Sequence, residues 1–482
     1  MITPVTDALG SLRVACLVGL TAAMLLVGSL VHADESLTYR GNAARTGGDG
    51  KPGPTAPRVL WTYRTKEHFI AAPVASGDRL FVSGLSFLNT AIVFSLDVSP
   101  KAEKRVVWSK SSPLLAMPTV SSPAVYKGQL ILGDGMHQTS GASLYGLDVA
   151  TGMPRWQQTV EGALVHLEGS PTVSQGRVYI GGGAAGVLCV DPARLSLDGK
   201  ELPAASIAKL LDERRAALQK KYEEAKKKGD AFAVPPTDQD IPRPTPALVW
   251  QAGKGTWHVD APLAVTQGKV LVASAFLDKE MVGKRALLCL DAQTGKELWS
   301  TPLTVNPWGG PAVQGKVVVV TGSTVAYDPA ALRGAKGLVA AFDLDSGKPL
   351  WRKELPGGVL GCPALGKDVA VVTCTDGKVR AYNLTTGGLR WTYTAAGPIF
   401  APVALDGETA YAADLKGVVH AITLRSGTAR WKLDLATDSA VAAPGMVYAG
   451  PLLKDGRLFV ATCNIAGDHV NKPTAVVCIG DK

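Results

Sequence analysis

Short apolar runs alternate with clusters of Gly, Asp, Ser and Thr along most of the chain, a pattern that predicts many short strands joined by tight turns. One unit organises it. Residues 288–291 are an apolar strand ending in Asp291, Thr294-Gly295 follows, and Trp299 opens the next strand. The polar residue and the tryptophan recur eight positions apart at Asp148/Trp156, Asp291/Trp299, Asp343/Trp351, Asn383/Trp391 and Thr423/Trp431. An Asp or Asn at a strand end accepts hydrogen bonds from the N–H groups of the turn, and the Gly after Thr or Ser supplies the left-handed residue of a short hairpin. The indole is too large to pack within one sheet, which places it between neighbouring sheets. From Trp299 through Trp351 and Trp391 to Trp431 the steps are 52, 40 and 40 residues. One such hairpin per period of that length is the signature of a β-propeller.

Read in order, the repeat tryptophans are Trp61, Trp108, Trp156, Trp250, Trp299, Trp351, Trp391 and Trp431, which gives eight blades. The last apolar run, residues 475–480, lines up with residues 286–291, Cys478 standing where Cys289 stands, yet no tryptophan strand follows it. Its partner is the first strand, at Trp61, and pairing the two closes the ring and removes its edges. The expected fold is therefore all-β: an eight-bladed propeller of four-stranded antiparallel blades over residues 57–482, closed by its C- and N-terminal strands. Residues 34–56 read as an extended lead-in. Residues 197–246 read as an insertion outside the ring that a short linker would replace. Within it, residues 206–228 predict a helix, with Ile207, Leu210, Leu211, Leu218, Tyr222 and Ala225 at helical spacing and Gly229 as its stop.

Charge and cysteine usage narrow the function classes. A net charge of +9 is modest for 482 residues, and no basic cluster is interleaved with aromatics, so nucleic acid is not an expected partner. Arg13 precedes an apolar run over residues 14–31, with a cleavage site after Ala33. Residues 1–33 thus read as a signal peptide, placing the mature chain in the periplasm or outside the cell with no transmembrane segment; an uncleaved anchor is the alternative. Cys16 lies at the start of the apolar run and not after it, unlike a lipoprotein cysteine. Cys189, Cys289 and Cys478 share one strand position and read as small core residues. Cys362 and Cys374 flank one predicted hairpin, and the sequence leaves open whether they are joined. No CxxC pair for zinc and no CxxCH for haem occurs.

The apolar strand, Ala-x-Asp, Thr-Gly and Trp together resemble the pyrroloquinoline quinone (PQQ)-like β-propeller repeat family over nearly all of residues 57–482. The resemblance implies the ring, and it implies two different functions. Quinoprotein alcohol dehydrogenases hold PQQ and Ca²⁺ in the central funnel of eight blades. Propellers similar to the outer-membrane assembly lipoprotein of Gram-negative bacteria bind partners and catalyse nothing. This chain departs from both, lacking the adjacent cysteine pair common in the enzymes and the lipobox of the lipoproteins.

Each repeat carries a proline where its innermost strand begins, and the residues just before those prolines face one rim of the funnel. The set is His68, Phe69, His166, Glu168, Trp257, His258, Asp260, Asn306, Trp308, Phe400 and Tyr448. Glu168, Asp260 and Asn306 are the hard oxygen ligands a Ca²⁺ ion would take, and Trp257 or Trp308 would stack on a planar cofactor. Aromatic residues beside a narrow channel also simply plug it. The sequence carries no Ser/His/Asp order, P-loop or zinc motif, so no catalytic residue is assigned and no metal site is expected. The reading is a non-catalytic scaffold for an envelope protein, peptide or ligand, without a cofactor, as a monomer or in a larger complex. A PQQ- and Ca²⁺-dependent alcohol or sugar dehydrogenase is the alternative.

Overall fold

In the computed structural model each repeat turn closes as its residues require. Asp291 Oδ1 accepts hydrogen bonds from the N–H of Gln293 (3.1 Å), the N–H of Thr294 (2.8 Å) and the Thr294 hydroxyl (2.7 Å). Asp148, Asp343 and Asn383 hold their turns in the same way. The structure describes residues 38–481 except 49, 50, 87, 88, 116, 138, 327 and 468; the segment read as a signal peptide lies outside the described residues.

The tryptophans latch blade to blade. In the ladder each one faces a small residue: Trp61 faces Cys478, Trp108 Ser95, Trp156 Gly146, Trp250 Cys189, Trp299 Cys289, and Trp351, Trp391 and Trp431 face Ala341, Ala381 and Ala421. The indole then lies over the turn of the following blade. Trp299 Nε1 donates to Leu344 O (3.1 Å), the residue after Asp343, and a Cβ on Gly347 would sit 2.5 Å from the Trp299 ring. Gly347 has φ of +67°, so both the turn and the ring demand glycine there. Trp108, Trp250, Trp351 and Trp391 repeat the hydrogen bond on Val149, Ala292, Leu384 and Leu424. The recurring eight-residue interval is thus the span from one turn to the strand that clasps the next blade.

These units build eight sheets, seven of four strands and one of five. Within the seven blades formed by consecutive chain, the strands run in sequence order outward from the axis. The eighth takes Leu452–Lys454, Arg457–Ala461 and Thr474–Gly480 from the C-terminus and Arg58–Thr65 from the N-terminus. Trp61 pairs with Cys478 and Thr65 with Thr474. Asp481 completes the join: its carboxylate accepts from the N–H of Thr55 (2.8 Å), the N–H of Ala56 (2.7 Å) and the Thr55 hydroxyl (3.2 Å). These are the donors that an internal turn offers its Asp, here supplied across the two ends of the chain.

The third blade carries the insertion. Its strand Val187–Leu197 pairs with both Lys200–Pro203 and Thr245–Ala252, and the helix Ala204–Lys227 stands between those two partners. The helix packs on the ring, with Ile207 and Leu211 buried in one cluster with Trp156 and Leu195. This blade has no Thr-Gly turn, so Trp156 donates instead to Gln129 Oε1 (2.6 Å) of its own blade. All six cysteines of the described residues are free and buried, Cys362 and Cys374 included. No helix among the described residues is long and apolar enough to cross a membrane.

The lead-in departs most from expectation, because it threads the ring. The carbonyls of Ala43, Ala44, Thr46 and Gly47 accept from the N–H of Val265, Val313, Leu365 and Leu405, one on the innermost strand of each of four successive blades. Innermost strands otherwise present an unpaired edge to the axis, and the lead-in satisfies it. Arg45, fully buried, donates to Leu263 O (2.9 Å), Ser170 O (2.8 Å), the Thr172 hydroxyl (2.5 Å) and Tyr39 O. Arg40 donates to Val403 O and to Pro363 O (3.4 Å). Burial lowers the Arg45 pKa to about 10 and raises that of Tyr39 to about 12.

Candidate functional site

Loops entering each innermost strand and loops joining a blade's second and third strands emerge on the same side of the ring, because each blade reverses direction at every turn. Isolated bridges tie the two kinds together: His68 with Leu85, His258 with Ala275, Asn306 with Ser323 and Met446 with Cys463.

Four side chains converge on this side. His137 lies between Gln129–Gly133 and Gly141–Asp148 of the second blade, His166 on the loop entering the third, and His258 and Asp260 on the loop entering the fourth. One donor atom from each lies within 4.8 Å of the others. His166 Nε2 is 2.7 Å from Asp260 Oδ1 and His258 Nε2 is 3.1 Å from Oδ2, the second pair off the line of a hydrogen bond. His166 and His258 are fully buried and His137 is exposed. Burial by itself would raise the Asp260 pKa and lower that of His166. The bond between them and the charge of the imidazoles hold Asp260 well below the usual carboxylate range, and the same bond with the charges of Asp260 and Glu168 holds His166 above the usual histidine value. Glu168 is half-buried and accepts from the His137 N–H; burial, then the charge of Asp260, pushes its pKa up to about 7.

The remaining rim residues go elsewhere. Phe400 and Tyr448 meet edge to face at 5.3 Å and form an apolar cluster with Leu360, Met446 and Cys463, against which Ile70 and Trp308 pack. Its members come from loops of several blades, and they fill the channel mouth. Trp257, 6% exposed, belongs to a different cluster, between the third and fourth blades, so the two non-repeat tryptophans do not form one surface. Phe69 is buried against Phe94, and His68 Nδ1 accepts from the Asn464 N–H at 3.3 Å. Asn306 does not join Glu168 and Asp260 as the expected oxygen set requires. Its Oδ1 accepts from the Phe276 N–H (2.9 Å) and Arg285 Nε (3.1 Å), and its Nδ2 donates to Phe276 O (3.0 Å).

The family model described as outer membrane protein assembly factor BamB matches residues 54–212, 239–398 and 322–466, and the chain belongs to this PQQ-like β-propeller family. Over 110 residues it is 33% identical to quinohemoprotein alcohol dehydrogenase ADH IIB of Pseudomonas putida, a match covering 21% of this chain and 16% of that enzyme. Among solved structures it is similar to BamB from Moraxella catarrhalis, with a TM-score of 0.55 and 16% identity over 88% of this chain and 97% of that one. It is likewise similar to quinohemoprotein alcohol dehydrogenase from Comamonas testosteroni, with a TM-score of 0.61 and 14% identity over 92% and 80%. At such identities the likeness is one of fold.

The oxygen set expected from the sequence for Ca²⁺ does not assemble in the structure. Ca²⁺ takes six to eight oxygen ligands. Here three imidazoles crowd the Asp260 carboxylate, Asn306 is held by Phe276 and Arg285, and Trp257 and Trp308 lie in separate apolar clusters.

Proposed function

We propose that the protein is exported to the cell envelope and acts there as a non-catalytic propeller that binds a protein or peptide on its loop-bearing rim. The observation that supports this is the filling of the channel. Leu360, Phe400, Met446 and Tyr448 close the rim side, and residues 38–48 line the inner edges with Arg45 buried among them. A planar cofactor and its substrate require an open slot where these side chains pack. The family description, an assembly factor, points the same way.

The docking surface in this reading is the part of the rim that remains accessible. His68, Glu168, Asp260, Asn306 and Trp308 are partly exposed there, whereas Phe69, His166, Trp257, His258, Phe400 and Tyr448 are buried and shape the surface from beneath. Apolar side chains stand on loops of the same side: Met117, Met281, Ile465 and Val470 are each more than a third exposed. Exposed apolar groups on a polar rim are what partner surfaces offer. The test is capture of a binding protein from solubilised envelope by immobilised wild type and by a Met281→Asp/Val470→Asp variant of equal melting temperature. The wild type should retain one defined partner that the variant loses at least tenfold. Equal retention by both, or none by either, would remove the rim as the docking face.

A further inference from the structure

We infer that His137, His166, His258 and Asp260 bind one divalent transition-metal ion, zinc being the best match, in a structural site that ties three successive blades together at the rim. The donor set carries the choice of metal. Three imidazoles and one carboxylate are borderline ligands that suit zinc and its first-row neighbours, whereas Ca²⁺ and Mg²⁺ require oxygen. The geometry is close to closed: one donor atom of each residue lies within 4.8 Å of the others, and His166 and His258 already reach opposite oxygens of the same carboxylate. The ring centroids are 5.1 Å apart for His166 and His258, 5.6 Å for His137 and His166, and 6.1 Å for His137 and His258.

A second observation is independent of that convergence. Among the described residues, Nδ1 of His166 and both ring nitrogens of His258 are buried without a hydrogen-bond partner. The large majority of buried side-chain polar atoms are satisfied, and an orphan calls for an explanation such as an ion or water. One metal bond would satisfy a His258 nitrogen for which the protein supplies no well-aligned hydrogen bond.

The backbone leaves room for the imidazoles. A Cβ on Gly183 would lie 3.0 Å from His166 Nε2, and one on Gly283 would lie 2.7 Å from the His258 Cβ. Glu168 accepts from the His137 backbone N–H and so fixes the loop that carries the exposed ligand. Four protein donors complete a tetrahedral zinc and leave no open position, which is the pattern of structural rather than catalytic sites. Because the ligands arrive on three separate loops, the ion would cross-link the second, third and fourth blades, including the join between the second and third, where Trp156 makes no turn latch. The exposed His137 is the entry path and the last ligand to close.

The experiment is a zinc titration of the tag-free, chelator-stripped mature chain, with Co²⁺ as the spectroscopic probe. The expected result is one zinc per chain, a melting temperature that rises with zinc, and the visible bands of tetrahedral Co²⁺. His137→Ala, an exposed position at which the apo fold should survive, weakens zinc by about tenfold or more, at least the loss typical of outer-shell changes. His258→Ala and Asp260→Asn abolish the Co²⁺ bands. His420→Ala removes a buried histidine of another blade, paired with Asp414, and leaves zinc binding intact. No zinc at stoichiometric loading, equal affinity in His137→Ala, or preference for Ca²⁺ over zinc would each overturn the site. None of these outcomes depends on whether the rim captures a partner.

Discussion

A chain lacking residues 474–482 will not fold. The segment is not an appendage but the third strand of the eighth blade, paired on one side with Arg58–Thr65 and on the other with Arg457–Ala461. All seven residues of Thr474–Gly480 are buried. Removing the strand exposes Trp61, Phe459 and Val82 of one cluster, orphans two ladders of hydrogen bonds, and frees Thr55 and Ala56 from Asp481. Each unsatisfied buried backbone group costs about 1–3 kcal/mol, so a handful is comparable to the whole stability of an ordinary domain, about 5–15 kcal/mol. The expected result is aggregated or protease-sensitive protein with no cooperative transition. A soluble truncation that melts at the wild-type temperature would contradict ring closure by this strand.

The second large effect belongs to Arg45. Its guanidinium is fully buried, no carboxylate is among its hydrogen-bond partners, and it is held by carbonyls and hydroxyls of the lead-in, the third blade and the loop into the fourth. Even with its pKa lowered to about 10 it stays protonated at neutral pH. Arg45→Met keeps most of the stem but leaves Ser170 O and Tyr39 O without the guanidinium donor and Leu263 O with the Thr172 hydroxyl alone. Each buried carbonyl left without a donor costs about 1–3 kcal/mol, so the change costs several kcal/mol in all. The expected result is a large fall in the urea midpoint with an unchanged slope. Arg214→Met, which removes an exposed pair with Asp198, should change stability by about 1 kcal/mol or less. Equal midpoints for the two variants would mean that the lead-in is an ornament rather than part of the core.

The blades were legible because their chemistry is local. A polar residue capping a turn, a glycine within it and a tryptophan eight residues beyond the cap repeat in one dimension, and most repeats make the same contacts in three. Cys478 aligned with Cys289 because both face a repeat tryptophan across the ladder. The helix was read at residues 206–228 and spans Ala204–Lys227; its stripe was right at Ile207 and Leu211, while Leu210 points to solvent. The lead-in was illegible, since its partners are carbonyls and N–H groups of strands hundreds of residues away, and nothing periodic marks a segment that pairs in this way. His137 was missed for a related reason. The rim set was collected only from loops that precede inner strands, whereas His137 sits between a second and a third strand. The reversal of direction at each turn places such loops on the same side, so topology offered the missing signal. Asn306 was grouped with Glu168 and Asp260 by loop position alone, and its bonds to Phe276 and Arg285 separate it from them.

The metal set and the filled channel bear on the same question from two sides. Imidazoles occupy the place where oxygen ligands for Ca²⁺ were expected, and side chains from several blades close the mouth a cofactor would enter. The most direct measurement is reconstitution of the purified protein with PQQ and Ca²⁺, followed by desalting, an absorbance spectrum and an assay of alcohol-dependent dye reduction. A non-catalytic propeller elutes without quinone and reduces no dye. Stoichiometric quinone retained with the protein, together with Ca²⁺-dependent dye reduction, would contradict it.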